Sequence, residues 1–368
     1  MNVKYRSIRL LALFAVILIA SVFAIGESHA KNKIVCEYCG EVIRGQYVLI
    51  DGKYYHPIHF KCANCGTPIG HTKYFKKDGK YYCEKCYDSL FADRCAHCGG
   101  IIKENGVVSM GKAYHDSCYQ KYVATRCDIC GEIIFDNIYA DQWGNTFHQK
   151  HLQELNQCEY CGRLICEQLT SGGMTYDDGR HVCNLCRQTA IDNIAEAKIL
   201  LDSARTLLGL EGIDIPGHKI ELHLIDRDSL KNISHEKDAL QEALTMYRRQ
   251  MSNDLTTYRD FDIYILHGMP RDHFLSVAAH ELMHVWQHYN AVPDNNKALR
   301  EGSCNYASYL VLQHIQGDYS RFLIFKLSKN DDPVYGEGYR RVSKFVKDNG
   351  IDYWLYHLKN QKDFPAGY

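Results

Sequence analysis

The chain has 368 residues and carries 43 Lys+Arg against 44 Asp+Glu, a formal net charge of −1. That length admits two or three domains with a sizeable core, and the balanced charge excludes global steering towards nucleic acid or an anionic membrane. Seventeen cysteines and 19 histidines are far above ordinary usage and need a chemical explanation before any fold is assigned.

Lys4, Arg6 and Arg9 precede an apolar run from Leu10 to Ile25, and Ser28-His29-Ala30 follows. A basic flank, a short apolar stretch and small residues at −3 and −1 describe a secretory signal over residues 1–30, cut after Ala30. The run is shorter than the ~20 residues of a usual membrane helix. An uncleaved anchor through residues 10–25 is the alternative, and the only route to a membrane that is expected. The expectation is therefore a secreted, periplasmic or otherwise extracytoplasmic protein, or one anchored by that segment.

From Cys36 to Cys186 one device recurs five times. Its first half is a C-x-x-C-G knuckle: Cys36/Cys39, Cys62/Cys65, Cys95/Cys98, Cys127/Cys130 and Cys158/Cys161. Its second half is a ligand pair with glycine four residues ahead: His56/His59, Cys83/Cys86, His115/Cys118, His148/His151 and Cys183/Cys186. Two ligands three apart on a tight turn converge on one tetrahedral ion, and glycine after the knuckle accepts the positive φ there. Asp51-Gly52, Asp78-Gly79 and Asp178-Gly179 read as hairpin turns into the second pair. The inventory closes at 15 cysteines and five histidines, hence five structural Zn²⁺ sites, and leaves only Cys166 and Cys304 over. Disulfides, the ordinary use of cysteine in an exported chain, require neither the histidines nor the constant glycine offset.

Only Phe60 and Lys61 separate the first two modules, and that fused pair resembles a LIM domain. The later modules look like LIM halves strung loosely. Residues 31–186 hold 18 basic and 18 acidic side chains, and fifteen thiolates against five divalent ions bring the segment near −5. Such a segment repels phosphate, so no nucleic-acid partner is expected. The LIM resemblance implies a protein partner instead.

After Cys186 helical periodicity begins, with an apolar stripe through Ile191, Ile194, Ala195, Ala197, Leu200, Leu201 and Leu207. A strand is expected over 220–225, a helix over Leu240–Tyr247, a strand over 261–266, and helices over 272–290 and 297–315. The strand 261–266 should line a cleft and pair with extended substrate. The first long helix carries His280-Glu281-Leu282-Met283-His284. Histidines at i and i+4 share one helical face, so both can reach a single zinc, with Glu281 beside them to accept a proton from water. Glu301, seventeen residues after His284, is the expected third ligand, and Asn305 one turn on should brace a ligand histidine as its hydrogen-bond acceptor. Gly302 suggests close backbone approach, and Cys304 suits packing better than ligation. Two histidines plus a glutamate from a following helix is the gluzincin arrangement. Tyr335, Tyr339 and His314 are candidates to stabilise the oxyanion, with Tyr339 preferred.

H-E-L-M-H-V-W, then R-E-G-S-C-N, then Pro333-Val334-Tyr335-Gly336-Glu337-Gly338-Tyr339-Arg340, joined to a LIM-type pair, resembles the DA-one family of LIM peptidases, here as an exported, bacterial-type relative. The resemblance covers residues 36–86 and roughly 187–345, and matches His280, Glu281, His284 and Glu301 to the family's motif. It implies a gluzincin fold, one catalytic zinc, and cleavage of protein or peptide substrates by a restrained activity. The expected architecture is α+β: tandem zinc-ribbon or LIM-like modules, then a mostly helical zincin-like metallopeptidase domain. Its divisions are 1–30, 31–90 (LIM domain, two zinc sites), 91–186 (three further modules) and 187–368. The expected function is zinc-dependent endopeptidase, with the modules recruiting partners or restraining activity. The alternative is a zinc-scaffolded adaptor whose peptidase fold does not cut.

Overall fold

The computed structural model describes residues 33–103, 106–135, 137–215, 220–234, 241–252 and 255–368. The signal-like stretch 1–30 lies outside them. Among the described residues no helix is long and apolar enough to cross a membrane. The chain divides into two compact units, one running to Arg126 and including 132–137, the other comprising 127–131 and 138–368.

Each module is built alike. In all five knuckles the glycine N–H donates to the carbonyl of the first cysteine, at 2.8–2.9 Å, from a φ of +70° to +76°. A short antiparallel hairpin then delivers the second ligand pair: Val48–Ile50 with Lys53–Tyr55, Tyr74–Lys77 with Lys80–Cys83, and Gly106–Ser109 with Lys112–His115 in the first unit. Asp51-Gly52 and Asp78-Gly79 form two-residue tips with both residues at positive φ, as expected. Met110-Gly111 makes the same turn without an acidic residue, whereas Asp178-Gly179 sits in the longer loop between strands Gly173–Thr175 and His181–Cys183.

The two-residue spacer between the first modules has a physical role. Phe60 is 4% exposed in a cluster with Val48, Ile50, Cys62, Ile69 and Tyr82. Its ring lies edge-on to Tyr74 and Tyr81, each at 5.2 Å. Neither module alone has enough apolar surface for a core, so the pair shares one.

The second unit is organised around a three-stranded sheet and a helical stack. Its elements are β1 (Ala190–Ile191), α1 (Ile194–Leu210), β2 (Ile220–Ile225), α2 (Arg227–Ser234), β3 (Ala243–Ser252), β4 (Leu255–Leu266), β5 (Met269–Pro270), α3 (Arg271–Asn290), α4 (Lys297–Gln313), α5 (Asp318–Lys329), α6 (Tyr335–Asn349) and α7 (Ile351–Asn360). The sheet order is β2-β4-β3, with β2 parallel and β3 antiparallel to β4. Ile263 and Ile265 of β4 and Ala278, Leu282 and Val285 of α3 are fully buried in one core.

Two expectations are corrected here. Leu240–Tyr247 was expected to be helical, but from Ala243 onward the chain is strand β3, because ten residues of antiparallel pairing with β4 override a local helix preference. The strand containing 261–266 is the middle of the sheet, with both edges already paired, so it has no free ladder to offer a substrate. Among the described residues the outer strands of the sheet are β2 and β3, and β3 is the one that meets Glu281, through Thr245.

Helices α4 and α6 cross at van der Waals contact. A Cβ on Gly302 would lie 2.3 Å from the Gly338 carbonyl carbon, and one on Gly338 would lie 2.2 Å from the Ala298 oxygen. Only paired glycines permit this approach, which is why Gly302 stands beside Glu301. Asn296 caps α4, its Oδ1 accepting from the N–H groups of Ala298 and Leu299. Trp354 of α7 is fully buried and donates to Ser303 Oγ at 3.3 Å.

The fifth module shares its buried side chains with the helical part of the second unit. Cys158, Cys161, Cys183 and Cys186 belong to the same buried cluster as the α3 core. Trp143 extends the contact, donating from Nε1 to the Cys161 carbonyl at 2.8 Å and packing its ring 4.8 Å from Phe322 of α5.

Candidate metal centre

His280 and His284 lie one turn apart on α3, ring centroids 5.0 Å from each other. Glu301 enters from α4, and its Oε2 lies 3.5 Å from Nε2 of both histidines. Zn–N and Zn–O bonds of about 2.0–2.1 Å give a tetrahedral edge of about 3.3–3.4 Å, so this donor set has the spacing of a zinc site. The outward nitrogens are braced. His280 Nδ1 is 3.0 Å from Asn305 Oδ1, and Asn305 Nδ2 donates to the Tyr335 carbonyl at 3.0 Å. His284 Nδ1 is 3.3 Å from Gln287 Oε1, and Gln287 Nε2 donates to the Arg300 carbonyl at 2.9 Å. With Nδ1–H donating outward, each Nε2 lone pair is aimed at Glu301.

Glu301 is 6% exposed. Burial works to raise its carboxyl, but His280 and His284 hold it well below the ordinary carboxylate range. Its other oxygen, Oε1, is 3.3 Å from Arg300 Nε. Cys304 lies behind His284, Sγ 3.4 Å from Nδ1, on the ring edge away from Glu301. Burial pushes its thiol up to about 11, and it packs there as a neutral group.

Glu281 is buried beside the pair, and its Oε2 accepts from Thr245 Oγ1 of β3 at 2.6 Å. Tyr335, at the start of α6, brings its ring to 6.4 Å from that of His280. The preferred Tyr339 goes elsewhere. It is buried between helices, its ring 6.1 Å from Tyr309, and Tyr335 takes the position beside the histidines. His314 binds Glu211 at 2.7 Å at the far end of α4. Gln287 and Thr245 were not singled out from sequence. Gln287 sits three residues beyond His284, a spacing that could have flagged it, but nothing local ties Thr245 to Glu281.

The five expected module sets also assemble. Cys36/Cys39/His56/His59, Cys62/Cys65/Cys83/Cys86, Cys95/Cys98/His115/Cys118, Cys127/Cys130/His148/His151 and Cys158/Cys161/Cys183/Cys186 each bring four ligand atoms within 4.8 Å of one another. All 17 thiols are free of disulfides. Individual spacings include Cys98 Sγ to His115 Nδ1 at 3.3 Å and Cys161 Sγ to Cys183 Sγ at 3.6 Å. Zn–S bonds of about 2.3 Å predict edges of about 3.5–3.8 Å. His151 adds an independent sign: Nδ1 is 2.9 Å from Glu154, leaving a buried Nε2 with no hydrogen-bond partner. Burial opposes ionising the first cysteine of a knuckle, yet backbone N–H groups of the turn and of the second ligand pair outweigh it. The thiols of Cys36, Cys62, Cys95 and Cys127 are lowered to about 5, 6, 6 and 6.

Comparison with known proteins matches two segments of the chain. The LIM domain model matches residues 36–91, and the model described as Protein DA1 (DA1-like) matches 220–321. Paxillin-B of Dictyostelium discoideum is 41% identical over 76 residues, a match that covers 21% of this chain and only 13% of paxillin-B. Protein DA1-related 2 of Arabidopsis thaliana is 23% identical over 404 aligned positions, covering 92% of this chain and 71% of the plant protein. The chain thus carries a LIM-like segment ahead of a DA1-like segment, the order of parts that it shares along most of its length with the plant DA1-related protein.

Proposed function

We propose that the chain is a zinc-dependent peptidase acting on protein or peptide substrates through the centre formed by His280, His284 and Glu301. The observation that carries this reading is the position of Glu301 Oε2, 3.5 Å from both inward-facing Nε2 atoms, with Glu281 buried beside them. When bound there, zinc supplies a Lewis acid and an acidified water. With zinc held by His280, His284 and Glu301, Glu281 would serve as the general base and acid that takes up a proton and returns it to the leaving amine. Thr245 orients the Glu281 carboxylate by donating to Oε2. Tyr335, 39% exposed beside His280, is the side chain best situated to donate to a developing oxyanion. β3, an outer strand of the sheet among the described residues, meets Glu281 through Thr245, and its outer edge can take an extended substrate as an added strand.

The LIM pair supplies the protein-binding surface, either recruiting partners or restraining the hydrolytic unit. Six zinc ions per chain follow from the six donor sets, five in the modules and one at the α3–α4 centre.

Glu281→Gln keeps the shape of the site and removes the proton acceptor. Turnover of a peptide substrate should fall about 10²–10⁴-fold while zinc per chain is unchanged. Full activity in this variant overturns the mechanism. A wild-type chain that binds zinc and partners but hydrolyses nothing would instead make the molecule an adaptor.

A further inference from the structure

The Cys158–Cys186 site differs from the other four in its surroundings. Cys39, Cys65, Cys98 and Cys130 are exposed ligands, whereas all four cysteines of this site are buried. Its zinc would be locked in the interior of the second unit.

What the module touches is the start of α3. That helix begins after Pro270, which provides no side-chain cap. The segment just beyond Cys186 does the capping instead: Thr189 accepts from the Arg271 N–H at 2.9 Å, Ile191 accepts from the Gly268 N–H at 2.9 Å, and β1 pairs with β5. From the module's hairpin, the fully buried Arg180 donates to the His267 carbonyl at 2.7 Å. Asp178 and the Tyr160 hydroxyl hold that guanidinium in place. The Tyr160 ring meets His273, in the first turn of α3, at 5.4 Å. Gly268 is closed over as well, since a Cβ there would lie 2.5 Å from the Tyr176 hydroxyl. These contacts all fall on residues 267–273, and His280 follows two turns later on the same rigid helix.

We propose that the Cys158/Cys161/Cys183/Cys186 zinc is an internal strut of the α3–α4 metal centre and not a docking module. By fixing the hairpin that carries Arg180 and the strand β1, it sets the origin of α3, and so determines how tightly His280 and His284 hold their own ion. The inference rests on zinc occupancy at both sites but not on hydrolysis.

The full chain tests it with zinc content per chain and hydrogen exchange of segment 263–275, neither of which depends on peptide cleavage. Cys98→Ser, in the third module, should lose one zinc and leave exchange in 263–275 unchanged. Cys183→Ser should lose two, its own and that of the α3–α4 centre, with faster exchange in 263–275. Loss of a single zinc with protection intact overturns the proposal. Because Cys183→Ser could simply unfold, Arg180→Gln provides the second arm: all four thiolates remain, while the ties of the guanidinium to His267, Asp178 and Tyr160 go. The fifth zinc should then stay bound, while exchange across 267–273 accelerates and the α3–α4 zinc passes to a competing chelator with about 10-fold lower affinity. Wild-type behaviour of Arg180→Gln in both measurements also overturns it.

Discussion

Thr245 shows how a single hydroxyl can matter at this centre. Under the proposed mechanism Glu281 has to keep its carboxylate in one orientation to take a proton from water, and packing alone does not fix rotation about its last bond. Thr245 Oγ1, 2.6 Å from Oε2, supplies that constraint. A hydrogen bond to a charged group contributes about 1.5–3 kcal/mol, so Thr245→Val should lower kcat about 10–100-fold. KM and zinc content should be unaffected, since neither the substrate ladder nor a metal ligand is removed. Thr245→Ser retains the donor and should recover most of the rate. Steady-state kinetics on one peptide substrate decide it, and equal rates for Val and wild type would exclude the role. At this scale the sequence was legible wherever chemistry follows helical spacing. His280 and His284 share a face of α3, and Asn305 lies one turn beyond Glu301 on α4, as helical spacing leads one to expect. Thr245 was not, because its meeting with Glu281 depends on β3 folding back beside α3. Tyr339 was preferred over Tyr335 from sequence, although both fall on the same face of α6. Only the depth of the α4–α6 crossing, set by Gly302 and Gly338, distinguishes the buried ring from the one at the histidines.

Among the elements, β3 was the hardest to read. Gln241-Glu242-Ala243-Leu244 and Met246 are good helix formers, and no turn signal precedes them. The strand exists because β4 presents a long antiparallel partner, a non-local fact that no short window contains. By contrast β2 emerged with the bounds expected, because Ile220–Ile225 alternates cleanly. The placement of β3 at the edge moves the expected substrate ladder from β4 to β3. Main-chain pairing along an edge alternates, with every second substrate amide turned towards the strand. A series of peptides N-methylated one position at a time should therefore show raised KM at alternate positions. Each lost bond is worth about 0.5–1.5 kcal/mol, or about 2–10-fold. A flat profile along the peptide would exclude strand addition.

For the whole molecule, the repeat pattern gave the number and membership of the zinc modules but not their allegiance. Five similar motifs look equivalent in sequence, yet the first pair closes a core of its own around Phe60, whereas the last is buried with α3. What separates them is the apolar surface each presents, and that depends on residues far along the chain. Two separate cores should unfold separately. Phe60→Ala removes the ring shared by the first two modules and should cost that pair about 3–5 kcal/mol, a large part of the stability available to so small a body. In calorimetry of the zinc-loaded chain the transition of the first unit should drop or vanish, while that of the α3–α4 unit keeps its midpoint. The same variant then distinguishes the two uses of the LIM pair. If the pair restrains hydrolysis, peptide turnover rises as Phe60→Ala unfolds it. If the pair recruits, turnover of a short peptide stays level and only cleavage of a protein bound through the modules declines. A simultaneous fall of both calorimetric transitions would mean that the two cores are one cooperative body.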